Sequence, residues 1–159
     1  MSRQHPMTRD TRRAWLAGIA ALAFFPLAGT AHASPVPLQV WKDPNCGCCK
    51  DWIALLEKGG FAVTVIDQGN NAARARLGMP QKFGSCHTAL VQGYVIEGHV
   101  PVADIQRLLK EKPRALGLSV PGMPIGSPGM DGPAYGGRRD PYQVLLIQRD
   151  GGTSIFNTY

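Results

Sequence analysis

A single α/β domain with a central mixed sheet and flanking helices is what the sequence predicts over residues 34–159, and three observations carry that expectation. The segment opens with a strand–helix–strand pattern whose second strand is almost continuously apolar, as a buried parallel strand is. A hairpin pattern followed by an amphipathic helix comes next. The chain has 159 residues, 44% of them hydrophobic, which is enough for one core and not for two. Its 19 Gly and 13 Pro are scattered rather than periodic, which excludes a collagen-like or wholly disordered chain.

Residues 1–33 read as an export signal that precedes this domain. Arg3, Arg9, Arg12 and Arg13 flank an uncharged apolar run from Ala14 to Leu27, and Ala31-His32-Ala33 supplies small residues for cleavage before Ser34. The run is about 14 residues, short of the roughly 20 that a membrane-spanning helix needs. A cleaved signal, and no stable membrane span in the mature chain, is therefore expected. Thr11-Arg12-Arg13-Ala14-Trp15-Leu16 also resembles the twin-arginine motif, with Trp15 where Phe is usual, while general secretion fits as well. Twin-arginine export moves folded proteins, which can already carry a metal. The leader contains four Arg and Asp10, so its removal lowers the formal charge from +6 to +3. A surplus so small, with no aromatic-interleaved basic patch, argues against a nucleic-acid partner.

The mature chain then runs as follows. Leu38–Trp41 is a short strand of β-formers, and Lys42-Asp43-Pro44-Asn45 is turn-like. After Cys46-Gly47-Cys48-Cys49, residues Lys50–Lys58 place Trp52, Ile53, Leu55 and Leu56 on a helix face that Gly59-Gly60 ends. Phe61–Ile66 is the second strand, and the βαβ unit so formed has a right-handed crossover. Asn70–Leu77 suits a short helix, broken by Gly78-Met79-Pro80. Thr88–Val91 and Tyr94–Ile96 make a hairpin around Gln92-Gly93, and Pro101 opens a helix to about Lys112 with Val102, Ile105, Leu108 and Leu109 on one face. From Gly117 to Gly137 roughly half the residues are Gly or Pro, so neither a helix nor a central strand is expected there, and a loop of that length is usually functional or disordered. Tyr142–Ile147 and Thr153–Phe156 close the chain as a hairpin.

All four cysteines lie in the mature part, three of them in one four-residue window at the mouth of a predicted helix. A helix N-terminus favours thiolate, which is both the nucleophile of disulfide exchange and a soft ligand suited to Cu(I). Cys46 and Cys49 have CxxC spacing, and Cys-Gly-Cys-Cys-Lys differs from the thioredoxin string Cys-Gly-Pro-Cys-Lys at one position. With the order of elements, this resembles the thioredoxin-like fold. Cys86-His87-Thr88 stands where that fold has a proline before Thr, so Cys86 or His87 is expected to face Cys46, and the four thiols to converge at one surface.

Three chemistries follow from the cysteines. Stabilising disulfides suit an exported protein, but Cys48 and Cys49 are adjacent and clustering closes no long loop. Thiol exchange through Cys46 as nucleophile and Cys49 as resolver fits the CxxC, although Cys48 replaces the usual proline. A soft-metal site explains why there is more sulfur than a dithiol enzyme needs; zinc is less favoured than copper, because structural zinc sites pair two separated ligand elements. If the Cys46–Cys49 turn is helical, Cys48 points away from the other two, and thiolates bridging more than one Cu(I) would answer that geometry. His87, beside Cys86, and His99, just before a helix, are the histidines that remain after cleavage. Met123 and Met130 sit in the Gly/Pro-rich loop, where thioethers could serve as a lid or as entry ligands for Cu(I).

Four strings in order, Asp43-Pro44-Asn45-Cys46-Gly47-Cys48-Cys49-Lys50, Ser85-Cys86-His87-Thr88, Glu97-Gly98-His99-Val100-Pro101 and Val120-Pro121-Gly122-Met123-Pro124, resemble one family. It is the exported CxCC metal-binding proteins, catalogued as a domain of unknown function, that include the copper-resistance protein CopG. The resemblance covers about Leu38 to Phe156. It implies a thioredoxin-like domain in the bacterial periplasm that binds copper through Cys46, Cys48, Cys49 and Cys86 and contributes to copper tolerance. It further implies that His87 and His99 are ligands or hold the ligands, and that other periplasmic copper-handling proteins are the partners to look for. Copper binding and a thiol-disulfide or copper-linked oxidoreductase both remain open at this point.

Overall fold

The computed structural model describes Met1 and residues 34–159, so the export signal expected over residues 1–33 falls, Met1 apart, outside the described residues. Among the described residues no helix is long and apolar enough to cross a membrane. Residues 34–159 form a mixed α/β domain around one seven-stranded sheet.

The strand–helix–strand unit is present. Strand β1 (Val36–Lys42) and β2 (Phe61–Ile66) pair in parallel from Val36↔Phe61 to Trp41↔Ile66, with helix α1 (Gly47–Lys58) between them. Helix α1 buries Cys49, Trp52, Ile53 and Leu56, the i, i+3, i+4, i+7 stripe of one helix face. It stops at Gly59-Gly60, where Gly60 takes φ +87° and a Cβ on Gly59 would lie 2.5 Å from a Val102 methyl.

Helix α2 (Asn71–Arg76) leads to the hairpin of β3 (His87–Val91) and β4 (Tyr94–Glu97), joined at Gln92-Gly93 with both residues at positive φ, as a two-residue hairpin turn requires. Helix α3 (Val102–Glu111) follows Pro101 and packs Ile105 and Leu108 into the core. Strand β6 (Gln143–Ile147) and β7 (Thr153–Thr158) complete the sheet.

One expectation is overturned. Gly117–Ser119 is a central strand, β5, parallel to β4 and antiparallel to β6, giving the order β2-β1-β3-β4-β5-β6-β7. The glycine that argued against a strand is what permits it: a Cβ on Gly117 would sit 1.7 Å from the Val95 carbonyl oxygen. All three residues are buried, and the sheet on either side imposes the conformation.

The main core gathers Leu38, Val40, Trp52, Leu56, Ile96, Ile105, Leu108, Leu118 and Val144. A smaller cluster forms around Met79, Phe83, Val95, Leu116 and Ile147. The register brings four chain segments to one end of the sheet. Lys42 at the end of β1 opposes His87 at the start of β3, Thr88 opposes Glu97 at the end of β4, and Glu97 opposes Ser119 at the end of β5. The residues just beyond these positions are Cys46–Cys49, Ser85-Cys86, Gly98-His99 and the Gly/Pro-rich loop.

Candidate metal centre

The cysteine window is shaped by the turn before it. The Asn45 N–H donates to the Asp43 carboxylate (2.8 Å) and the Cys46 N–H to the Asp43 carbonyl (3.1 Å), which reverses the chain after β1. Cys46 then occupies the position before the first helical residue, in an extended conformation with φ −69° and ψ 100°. Cys46 and Cys49 are joined as a disulfide with their Cα atoms 5.4 Å apart, and Cys48 and Cys86 are free.

The four sulfurs do converge. Cys48 Sγ lies 3.6 Å from Cys46 Sγ, Cys86 Sγ lies 3.5 Å from Cys49 Sγ, and all four fall within 4.8 Å of one another. Cys48 therefore does not point away, as a helical turn through all three residues would require. Cys46 stands outside the helix, so helical phase does not govern its side chain, and its sulfur reaches over the first turn to Cys48.

Cys86 joins this group to a second one. Its sulfur is 3.3 Å from His87 Nδ1 and 3.1 Å from His99 Nε2. The far nitrogen of each ring faces a backbone carbonyl: His87 Nε2 the Gly98 oxygen at 2.9 Å, His99 Nδ1 the Pro128 oxygen at 2.7 Å. A carbonyl can only accept, so each far nitrogen carries the ring proton, and each near nitrogen presents a lone pair to Cys86. Two acceptors thus meet a single S–H. Burial favours the neutral forms throughout. It pushes the Cys86 thiol up to about 12, with the nearby Cys48 adding to the effect, and pushes His87 down to about 3, with His99 contributing. His99 is lowered by burial as well.

Both rings are held in place. His87 packs against Trp52 with centroids 4.2 Å apart and meets His99 edge-on at 5.0 Å; the Trp52 indole N–H donates to the Val100 carbonyl at 2.9 Å. The Gly/Pro-rich loop lies over this end of the sheet. Besides the Pro128 contact, Gly129 packs so close that a Cβ there would be 2.6 Å from the Cys48 carbonyl oxygen, and the Ser85 hydroxyl donates to the Gly122 carbonyl. Met130 is 9% exposed and its sulfur accepts from the Tyr135 hydroxyl at 3.3 Å, whereas Met123 is 51% exposed. The structure thus brings Cys46, Cys48, Cys49, Cys86, His87 and His99 together, covers them with the loop, and leaves Met123 on the outside.

Sequence reasoning missed a buried polar set behind Cys86. Arg74 and Glu97 are 3% and 0% exposed and form an ion pair at 2.8 Å. Glu97 also accepts from the Ser85 N–H (2.7 Å) and the Thr88 hydroxyl (2.6 Å), while Arg74 and Asn70 both donate to the Ser85 carbonyl. Burial pushes the Glu97 carboxyl up, against these donors. Arg74, in Ala-Arg-Ala-Arg, reads as a surface residue; the adjacency of Glu97 to Gly98-His99 was the available signal.

This arrangement can hold a soft cation: four sulfurs in one knot, with two imidazole lone pairs facing the fourth. A family model described as a protein of unknown function, DUF411, matches residues 83–130, a stretch that includes Cys86, His87 and His99. Two solved structures, forms 1 and 2 of the copper resistance protein CopG, resemble this chain at 47% sequence identity and a TM-score of 0.73, covering 79% of this chain. The match spans 98% of form 1 and 99% of form 2. No curated protein matches.

Proposed function

The chain belongs to the family of the copper resistance protein CopG, and from that premise we propose that it is a periplasmic protein that binds copper as Cu(I) and contributes to copper tolerance by sequestering or handing on the ion. The observation that carries this reading is the convergence of Cys46, Cys48, Cys49 and Cys86 within 4.8 Å, next to two histidines whose free nitrogens already face Cys86. Thiolate sulfur selects Cu(I), and neutral imidazole suits copper as well as zinc. Six soft or borderline donors exceed what one tetrahedral zinc ion takes. Shared thiolates holding more than one Cu(I) use all of them. The thioredoxin-like reading of β1 to α3 is part of this proposal, supported by the CxxC that follows β1 and opens α1, with Cys46 just before the helix and Cys49 in its first turn. Other periplasmic copper-handling proteins are the proposed donors and acceptors.

Loading the full set requires Cys46 and Cys49 to be reduced, so copper uptake and disulfide formation compete. The Cys46–Cys49 disulfide also favours a second reading, a thiol-disulfide or copper-linked oxidoreductase in which partly exposed Cys46 attacks and buried Cys49 resolves. The other two thiols do not fit that reading. It leaves Cys48 and Cys86 without a role, although both sulfurs lie in the same cluster as Cys46 and Cys49.

Anaerobic titration of the reduced protein with Cu(I) under a competing chelator, together with elemental analysis of the protein as isolated, tests the proposal. Copper uptake that falls in Cys48→Ser supports it. No uptake by the wild-type protein, or unchanged stoichiometry in Cys48→Ser, refutes it. Catalytic disulfide reduction that survives Cys48→Ser and is lost in Cys46→Ser would establish the exchange enzyme instead.

A further inference from the structure

We propose that Arg74 and Glu97 are positioning residues for the metal centre: their buried ion pair holds both backbone polar groups of Ser85 and thereby fixes Cys86 against His87 and His99. Only the metal-binding arm of this inference rests on the copper reading above.

The contacts converge on one residue. Glu97 Oε1 accepts from Arg74 Nε (2.9 Å), Arg74 Nη2 (2.8 Å) and the Ser85 N–H (2.7 Å). The Ser85 carbonyl, part of the peptide that begins Cys86, accepts from Arg74 Nη2 and from Asn70 Nδ2 at 3.1 Å. Arg74 also reaches Asn71 (2.9 Å) and Gln81 (3.2 Å) through Nη1, so its guanidinium is fixed at several points. Gly84 accommodates it, since a Cβ there would stand 3.0 Å from Arg74 Cζ.

Glu97 is also continuous with the other half of the trio. The next residue, Gly98, supplies the carbonyl that orients His87, and donates its own N–H to the His87 carbonyl at 3.0 Å. His99 follows it. The pair thus links the segment entering β3 to the segment leaving β4, which are the two that carry Cys86, His87 and His99.

Stability alone does not account for this choice of residues. A buried ion pair must overcome the desolvation of both charges, and well-packed apolar replacements are often as stable or more so. Apolar side chains cannot, however, hold the N–H and C=O of Ser85. Groups that orient metal ligands in this way typically change metal affinity 10–100-fold when removed.

The test is the double variant Arg74→Met/Glu97→Leu, read in two ways. In the oxidised, metal-free protein, iodoacetamide labelling is followed separately at Cys86 and Cys48 by peptide mass spectrometry. Cys86 is expected to react at least about tenfold faster than in the wild type, the value of one lost charge-assisted hydrogen bond, with Cys48 unchanged. In the reduced protein, Cu(I) affinity under a competing chelator is expected to fall roughly 10–100-fold. An unchanged Cys86 rate in the folded variant overturns the proposal, as does equal acceleration at Cys48, which would mark a role in the whole fold. Arg74→Lys keeps a cation beside Glu97 but lacks the fork that reaches Glu97 and the Ser85 carbonyl together; it reads the same quantity if the double variant does not fold, and an unchanged Cys86 rate there overturns the proposal too. A wild-type protein that takes up no Cu(I) would remove the copper reading, and the labelling contrast would still decide this one.

Discussion

His87 ties the stability of the metal-free protein to pH in a calculable way. Its ring is fully buried and burial pushes it down to about 3, while the unfolded chain titrates near 6.5. A folded value below the unfolded one means that the unfolded chain binds more protons in between. Stability is therefore complete above about pH 6.5 and is lost as the pH falls from there toward about 3. One linked proton changes stability by about 1.4 kcal/mol per pH unit, and between pH 7 and pH 5 it is engaged over roughly 1.4 of the two units, so His87 accounts for a loss of about 2 kcal/mol. His99 shifts in the same direction and Glu97 in the opposite one, so the effect has to be read as a difference. His87→Gln keeps an N–H for the Gly98 carbonyl and removes the titration; its lost packing on Trp52 is a constant offset. Urea unfolding of both oxidised, metal-free proteins from pH 7 to pH 5 is the assay. The wild type is expected to lose about 2 kcal/mol more than His87→Gln across that window. Parallel stability curves would refute the reasoning, because they would mean that the buried ring takes up its proton in the folded state by pH 5.

Two glycines carry further predictions. Gly117→Ala drives a Cβ into the Val95 backbone at 1.7 Å, inside a central strand with neighbours on both sides, so a loss of more than about 3 kcal/mol is expected in thermal or urea unfolding. Gly129→Ala places a Cβ 2.6 Å from the Cys48 carbonyl oxygen at a residue with φ +84°, which lifts the loop that holds His99. Its expected signature is a Cu(I) affinity lowered about tenfold or more in chelator competition, with a smaller loss of stability than Gly117→Ala.

The contrast between Gly117 and Cys46 shows where sequence reasoning reaches its limit. The β1–α1–β2 unit, the β3–β4 hairpin and α3 are legible because each has its own signal: an apolar stripe, a Gln-Gly turn, a proline at the helix mouth. Strand β5 has none, being three residues long and opened by a glycine; β4 and β6 create it. The convergence of four cysteines was implied by the resemblance to the thioredoxin-like fold, in which the segment before β3 faces the CxxC. The direction of Cys48 was not, because it depended on whether Cys46 lay inside or just outside the first helical turn, a difference of one residue in helix start. Arg74 was illegible for the same reason as β5. Its burial comes from Glu97, 23 residues away in sequence, and nothing near it differs from an exposed helix.

Cys86, His87 and His99 would also couple the uptake of any cation to the movement of a proton. With one sulfur proton between two lone pairs, the metal-free trio is always one hydrogen bond short, and a departing cation has to be replaced by a proton on a thiol that holds it up to about pH 12. Departure and protonation are then a single coupled event at this sulfur. At neutral pH the proton has the advantage over a cation at this sulfur, so taking up an ion here would release a proton into solution and would grow more favourable as the pH rises.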